Sequence, residues 1–172
     1  FVGACENMPS GTSYRPGDIL VSRSGKTVEI TNTDAEGRLV LGDVLAYAAE
    51  KKPWGLVDIA TLTGACMVAL GKATGGAFGA DDDFMHQVLD ASDAAGESFW
   101  RLPLDPAVKE NLHSDVADLK NSGTRWGGAI SGAQFLQEFV GDTPWVHLDI
   151  AGPSASDKDK GYLTKGGTGV AV

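Results

Sequence analysis

Cysteine is nearly absent from this chain. The 172 residues hold two, Cys5 and Cys66, and neither belongs to a CxxC pair. That excludes a disulfide scaffold. Basic residues are also few, 14 Lys and Arg against 23 Asp and Glu, for a net charge of −9. Nucleic-acid binding needs clustered cations to replace phosphate counterions, so this balance argues against it. No run reaches the roughly 18 apolar residues of a membrane span. There is no Asn-x-Ser/Thr sequon, visible signal peptide, internal repeat or low-complexity tract. Histidine stops at His86, His113 and His147, with no HExxH among them. The expectation from these absences is a reduced, cytoplasmic protein that binds neither membrane nor nucleic acid.

What is present fits a globular chain. Apolar residues make up 42%, enough for a real core. Glycine, at 23, promises many tight loops. The chain opens on "FVGACENMPS" and closes on "GGTGVAV", apolar at both ends and without a starting methionine. The reading is of a piece of a longer protein.

Local patterns give an order of elements. "DILVSR", a Ser24-Gly25 turn and "KTVEI" predict a hairpin. From Arg38 to about Lys52, Leu41, Val44, Leu45 and Ala48 recur at helical spacing, and Pro53 stops the helix. "GLVDIATL" reads as a buried strand parallel to its neighbours. "TGACMVALG" begins a short helix with Cys66 and Met67 in the core, and "ATGGAFGA" is a glycine-rich strand. Asp81 to Asp83 open a helix with Phe84, Val88, Ala91 and Ala95 on one face. A short helix is expected near Pro106 to Leu112, a longer one over "AISGAQFLQEFV", and a last strand at "WVHLDIAG". This alternation predicts an α/β three-layer sandwich, with a mixed, mostly parallel sheet flanked by helices on both faces. Ligands in such sheets sit at the carboxyl ends of strands. Three loops qualify, those after "KTVEI", "LVDIA" and "VHLDI".

The first of these holds "TNTDAEGRLV". Read as extended chain, Asp34, Glu36 and Arg38 face one side together. Two carboxylates there are hard ligands for divalent ions, and the arginine can hold an anion. The structural alternative is a helix cap with an internal ion pair. Other chemistries find less support. "GAISGA" is not a nucleophile elbow, "GACMVALGKA" has the wrong spacing for a phosphate loop, and "DKDKG" at 157 to 161 is too short for a calcium loop. His147 and Asp149 share a strand face and read as a satisfied core pair.

"NTDAEGRLVLGDVL" resembles the signature of the leucyl (cytosol) aminopeptidase family of two-metal exopeptidases. "ENMPSG", "RPGDIL", "GKTVEI", "DIATLTGA", "VALG", "ADLKNSG" and "WVHLDIAG" resemble that family in the same order, over nearly the whole chain. The resemblance implies a C-terminal catalytic domain, of which residues 1–172 are part. It implies release of N-terminal residues, with leucine-type preference, from peptides with a free amine. It implies two divalent ions per subunit, Zn or Mn with Mg as a third choice, and a homohexamer. By resemblance Asp34 is a ligand to one metal, Glu36 bridges both, and Arg38 holds a bicarbonate that shuttles protons. Thr61, Leu62 and Gly64 resemble the substrate-binding loop, and Ala151 a pocket wall. Ser154 departs from the larger apolar residue of some members, which leaves side-chain preference open. The family's remaining ligands and a catalytic lysine lie upstream of "ENMPSG", so the isolated chain is expected to be inactive. A non-catalytic relative that keeps the fold is the alternative, and a two-metal phosphoesterase would want more histidines and basic residues.

Overall fold

The structure, a computed structural model, describes residues 1–159 and 161–172. Lys160, in the "DKDKG" stretch, lies outside the described residues. The expected hairpin forms from β1 (Ile19–Val21) and β2 (Thr27–Glu29), antiparallel, with Leu20 opposite Val28. Its turn needs a left-handed residue, and Gly25 supplies it at φ 86°. Helix α1 (Glu36–Ala49) starts two residues earlier than the apolar spacing suggests and stops before Lys51. Next come β3 (Leu56–Ala60), α2 (Gly64–Leu70), β4 (Gly75–Phe78) and α3 (Asp82–Ala95). Then follow β5 (Phe99–Arg101), α4 (Pro106–Lys109) running into a 3-10 turn over Glu110–Leu112, and β6 (Leu119–Lys120). The chain finishes with α5 (Gly128–Gln137), β7 (Trp145–Asp149), β8 (Ala155–Ser156) and β9 (Gly166–Gly167).

The fold is mixed α/β, as expected, but its strands divide among three sheets. The main sheet runs β3-β7-β4-β5. β3 and β7 are parallel, as are β4 and β5, and the two pairs join through the antiparallel contact of β4 with β7. β2 is not in this sheet: it pairs with β1 and, in parallel, with β6. Alternation along β7 sends Trp145 into the core beneath α1, α2 and α5, and Val146 and Leu148 into the core beneath α3. Helices therefore cover both faces of the main sheet.

Two packing expectations fail in detail. The buried side of α3 is Phe84, Met85, Val88, Leu89 and Ser92, while Ala91 and Ala95 are exposed. Phe84 and Val88 were on the right stripe, but the helix is rotated so that the stripe's larger neighbours face in. In α2 only Cys66 is buried, and Met67 is 37% exposed. Strands β5, β6, β8 and β9 have two or three residues each, too few to show a period in sequence.

Candidate metal and substrate site

Three loops meet although their strands lie in two sheets. Loop 31–35 leaves β2, loop 61–63 leaves β3, and Ile150–Ala151 leave β7. Asn121 ties the first of them down. Its buried side chain accepts from the Thr31 and Asn32 amides at 2.9 and 3.2 Å, and donates to the Asn32 carbonyl at 2.6 Å. This clamp reaches across 89 residues, and no local pattern in sequence announces it. A β-carbon on Gly37 would touch Leu62 at 3.7 Å, so the start of α1 abuts the second loop. Helix α5 closes the floor. A β-carbon on Gly132 would meet Thr63 at 3.1 Å, Leu62 at 3.2 Å and Arg38 Nη2 at 3.4 Å. A side chain there would force the loop or the guanidinium to give way by a few tenths of an ångström, so glycine lets them sit this close to the helix.

The extended arrangement of Asp34, Glu36 and Arg38 is overturned. Asp34 lies in a turn, with its amide donating to Asn32 Oδ1 at 3.0 Å. Glu36 opens α1. Helical rotation carries residues two apart to nearly opposite sides, so Arg38 points inward while the acids stay outside. Asp34 is exposed, Glu36 half-buried, and Arg38 8% exposed.

The capping alternative is not what the structure builds. Ala35 occupies the cap position of α1, which has no side-chain cap bond. Among the described residues, Asp34 and Glu36 form no ion pair with Arg38 or any other cation. The one protein partner of the Glu36 carboxylate there is the amide of Asn7, donating at 3.5 Å. Arg38 sits 6.0 Å from the Phe135 ring, and its Nη1 is buried without a hydrogen-bond partner. Burial pushes its pKa down to about 10, while the charge of Asp149 pulls the other way. A desolvated cation with a spare donor suits a small anion.

His147 and Asp149 are both buried but are not a pair. His147 Nδ1–H donates to Asp58 Oδ1 at 2.7 Å, and Trp145 Nε1–H donates to Asp58 Oδ2 at 2.7 Å. His147 Nε2 has no partner. Asp149 instead accepts from the Leu62 amide at 3.2 Å, the Ala151 amide at 3.1 Å and the Thr63 hydroxyl at 2.7 Å. Sequence reasoning missed both Asn121 and Asp149. For Asp149 the one available signal was a charged residue inside an apolar strand. Of the expected pocket residues, Thr61 and Gly64 are exposed, and Leu62 and Ala151 half-buried.

Two shallow hollows of about 310 and 400 Å³ lie elsewhere, near Ala80, at the amino end of β7. Neither is lined by Asp34, Glu36, Arg38 or Asp149. The loops that carry Asp34, Leu62 and Ala151 lie instead at the carboxyl ends of β2, β3 and β7, where ligands sit in open α/β sheets.

A family model described as the cytosol aminopeptidase family, catalytic domain, matches residues 1–172. A probable cytosol aminopeptidase of Alkaliphilus metalliredigens (strain QYMF) is 59% identical over 171 residues, covering 99% of this chain and 34% of that protein. One of Aquifex aeolicus (strain VF5) is 53% identical over 174 residues, covering 100% and 35%. Among solved structures, a mutant of tomato leucine aminopeptidase overlays with a TM-score of 0.93 at 49% identity, over 98% of this chain and 33% of that one. The bottromycin maturation enzyme BotP in complex with Mn overlays with 0.92 at 48% identity, over 96% and 38%. The chain spans about a third of the length of the curated relatives it matches.

Proposed function

The chain belongs to the cytosol aminopeptidase family, as part of its catalytic domain, and from that premise we propose that the intact protein removes N-terminal residues from peptides with two divalent ions. One observation carries the reading. Among the described residues, two carboxylates, Asp34 and Glu36, stand without protein cations near the start of α1, where the buried Arg38 has an Nη1 without a partner. A capping or ion-pair role, the structural alternative for these two acids, finds no bond to support it among the described residues.

The residues fit a metal site in part. Oxygen ligands suit Mn, Mg and Zn, and the BotP relative was solved with Mn. Among the described residues, however, no three His, Cys, Asp or Glu side chains gather into a metal cage. In this reading Asp34 and Glu36 give part of the donor set, Glu36 bridging. Polypeptide beyond this chain gives the rest, so the isolated chain turns over nothing. Two ions so held would supply Lewis acidity and bring the pKa of water toward 7.

The chain's own residues bind and orient. Arg38 Nη1, buried and without a partner, would hold a bicarbonate, and that anion would supply a carrier for the proton. The Leu62 amide already donates to Asp149, so the main-chain group that Leu62 offers a substrate is its carbonyl. Gly64 is the first residue of α2, and its amide precedes the helix's own bonding and can donate to a peptide carbonyl. Thr61 borders the peptide, and Ala151 walls the pocket for the first side chain. A requirement for a free amine limits cleavage to the first residue. A cytoplasmic homohexamer, leucine-type preference and peptide substrates complete the proposal. No helix among the described residues is long and apolar enough to cross a membrane.

The test is hydrolysis of leucine anilide by the full-length protein. Chelator should abolish it and Mn²⁺ or Zn²⁺ restore it, while residues 1–172 alone stay silent. Chelator-resistant turnover would overturn the reading.

A further inference from the structure

Asp149 ends the central strand β7, flanked by Ala60 of β3 and Gly76 of β4. It has no exposed surface. Its two carboxylate oxygens divide their bonds between separate segments. Oδ1 accepts from the Leu62 and Ala151 amides together, and Oδ2 takes the Thr63 hydroxyl. Thr63 Oγ1 in turn accepts from the Cys66 amide at 3.1 Å, which carries the link into the first turn of α2. The bonds to Leu62 and Thr63 cross 87 and 86 residues of sequence. The strand on which Asp149 sits is bonded on both sides, so the carboxylate is a fixed point and the loops hang from it. Charged acceptors make bonds roughly twice as strong as neutral ones, which favours an acid over an amide there. Arg38, whose Nη2 comes to the same point of α5 as the Leu62 and Thr63 side chains, is near enough to feel the buried negative charge.

We propose that Asp149 is the positioning residue that fixes the spacing between the loop at 61–64 and the wall at Ala151, and so sets how tightly a substrate's first residue is gripped. The proposal rests on the aminopeptidase reading above for which residues touch substrate. Asp149 makes no contact with the peptide in this account and acts through Leu62 and Ala151.

Two variants of the full-length protein separate the roles. Asp149→Asn keeps an oxygen for the Leu62 and Ala151 amides and loses the acceptor for Thr63. Asp149→Ala loses all three bonds. Each bond to a charged acceptor is worth roughly a factor of 10 to 100. With metal-loaded protein, Asp149→Ala should raise KM for leucine anilide by about tenfold or more, with kcat falling less. Preference for leucine over alanine anilide should narrow. Asp149→Asn, which keeps two weakened bonds of the three, should give a KM between those of the parent and Asp149→Ala. Amide exchange over 58–66 and 150–154 should quicken together in Asp149→Ala while 36–49 stays unchanged. If Asp149→Ala does not fold, Thr63→Val cuts the loop side alone and should raise KM by a smaller factor. A KM within twofold of the parent in Asp149→Ala, or Asn performing no better than Ala, overturns the proposal. An unmodified protein without aminopeptidase activity sinks the functional reading instead. The exchange pattern then decides by itself whether the two segments hang on Asp149.

Discussion

The acids of loop 34–36 and the acids of the parallel strands β3 and β7 are treated oppositely by the fold. Asp58 and Asp149 are buried, and both oxygens of each carboxylate accept bonds from the protein. Asp34 is exposed and Glu36 half-buried, and among the described residues the one hydrogen bond to either carboxylate comes from Asn7 to Glu36 at 3.5 Å. Burying an unpaired charge is expensive, so the interior acids had to be paired. The loop acids escape that requirement and stay available. The difference teaches how to separate architecture from chemistry in this molecule. An acid whose bonds are complete within the chain holds something in place, and under the proposed function the two open acids are the ones free to take a cation.

The comparison breaks most sharply at Asp34 and Glu36. Lewis-acid stabilisation by a metal is worth several kcal/mol. Glu36→Ala or Asp34→Ala should therefore cut turnover of leucine anilide by about 10³-fold or more. Melting should barely move, because neither side chain is tied into the core. Unchanged activity in either variant would remove that acid from the metal site.

Asp58→Ala is the mirror experiment. It strands His147 Nδ1 and Trp145 Nε1 in the core, and breaking a buried pair of this kind costs about 3–5 kcal/mol. The denaturation midpoint should fall accordingly, while the KM of the remaining folded protein holds. A large KM change at full stability would mean that Asp58 belongs to the site.

Arg38 lies between the two classes, buried like a core group yet short of a partner. Its folded-state pKa, about 10, lies below the ordinary arginine value. The protonated form is thus disfavoured by folding. The cost is full at neutral pH and fades as pH rises above about 10. Arg38→Met should therefore leave melting unchanged or raise it at pH 7, while kcat drops by about 10²–10³-fold, the size of a lost oxyanion donor. A destabilised Arg38→Met would show that the guanidinium is structural.

The smallest effect concerns Cys66. Burial, then the charge of Asp149, push its thiol up to about 11. At pH 8 an alkylating reagent should leave Cys66 untouched in native protein and modify it after denaturant, as peptide mass mapping would show. Native alkylation at Cys66 would mean that the first turn of α2 opens readily, against the anchoring by Asp149.

Much of the fold was legible in the sequence because its signals are local. The hairpin at 19–29, the apolar spacing of α1, the Asp81 cap of α3 and the apolar run of β7 each lie within one turn or one strand. Asp81 accepts from the Phe84 amide at 2.8 Å, as a cap before a helix should. Less of the site was legible. Residues 34, 36 and 38 were read as extended because the start of α1 carries no cap to mark it. The separation of β2 from the main sheet depends on β6, whose two residues have no pattern of their own. Asp149 was assigned the wrong neighbour because two residues apart on one strand face says which side they share, and nothing about what stands opposite.

The sequence alone determined the order of the longer strands and helices, the presence of two acids and an arginine where β2 gives way to α1, and a motif order matching one family. Those are properties of neighbours along the chain. Tertiary structure decided which carboxylates are spent and which are free, since all but one of the bonds that satisfy Asp58 and Asp149 join residues 86 or more apart in sequence. It also decided that Arg38 is inside, because only packing against Gly132 and Phe135 removes its water.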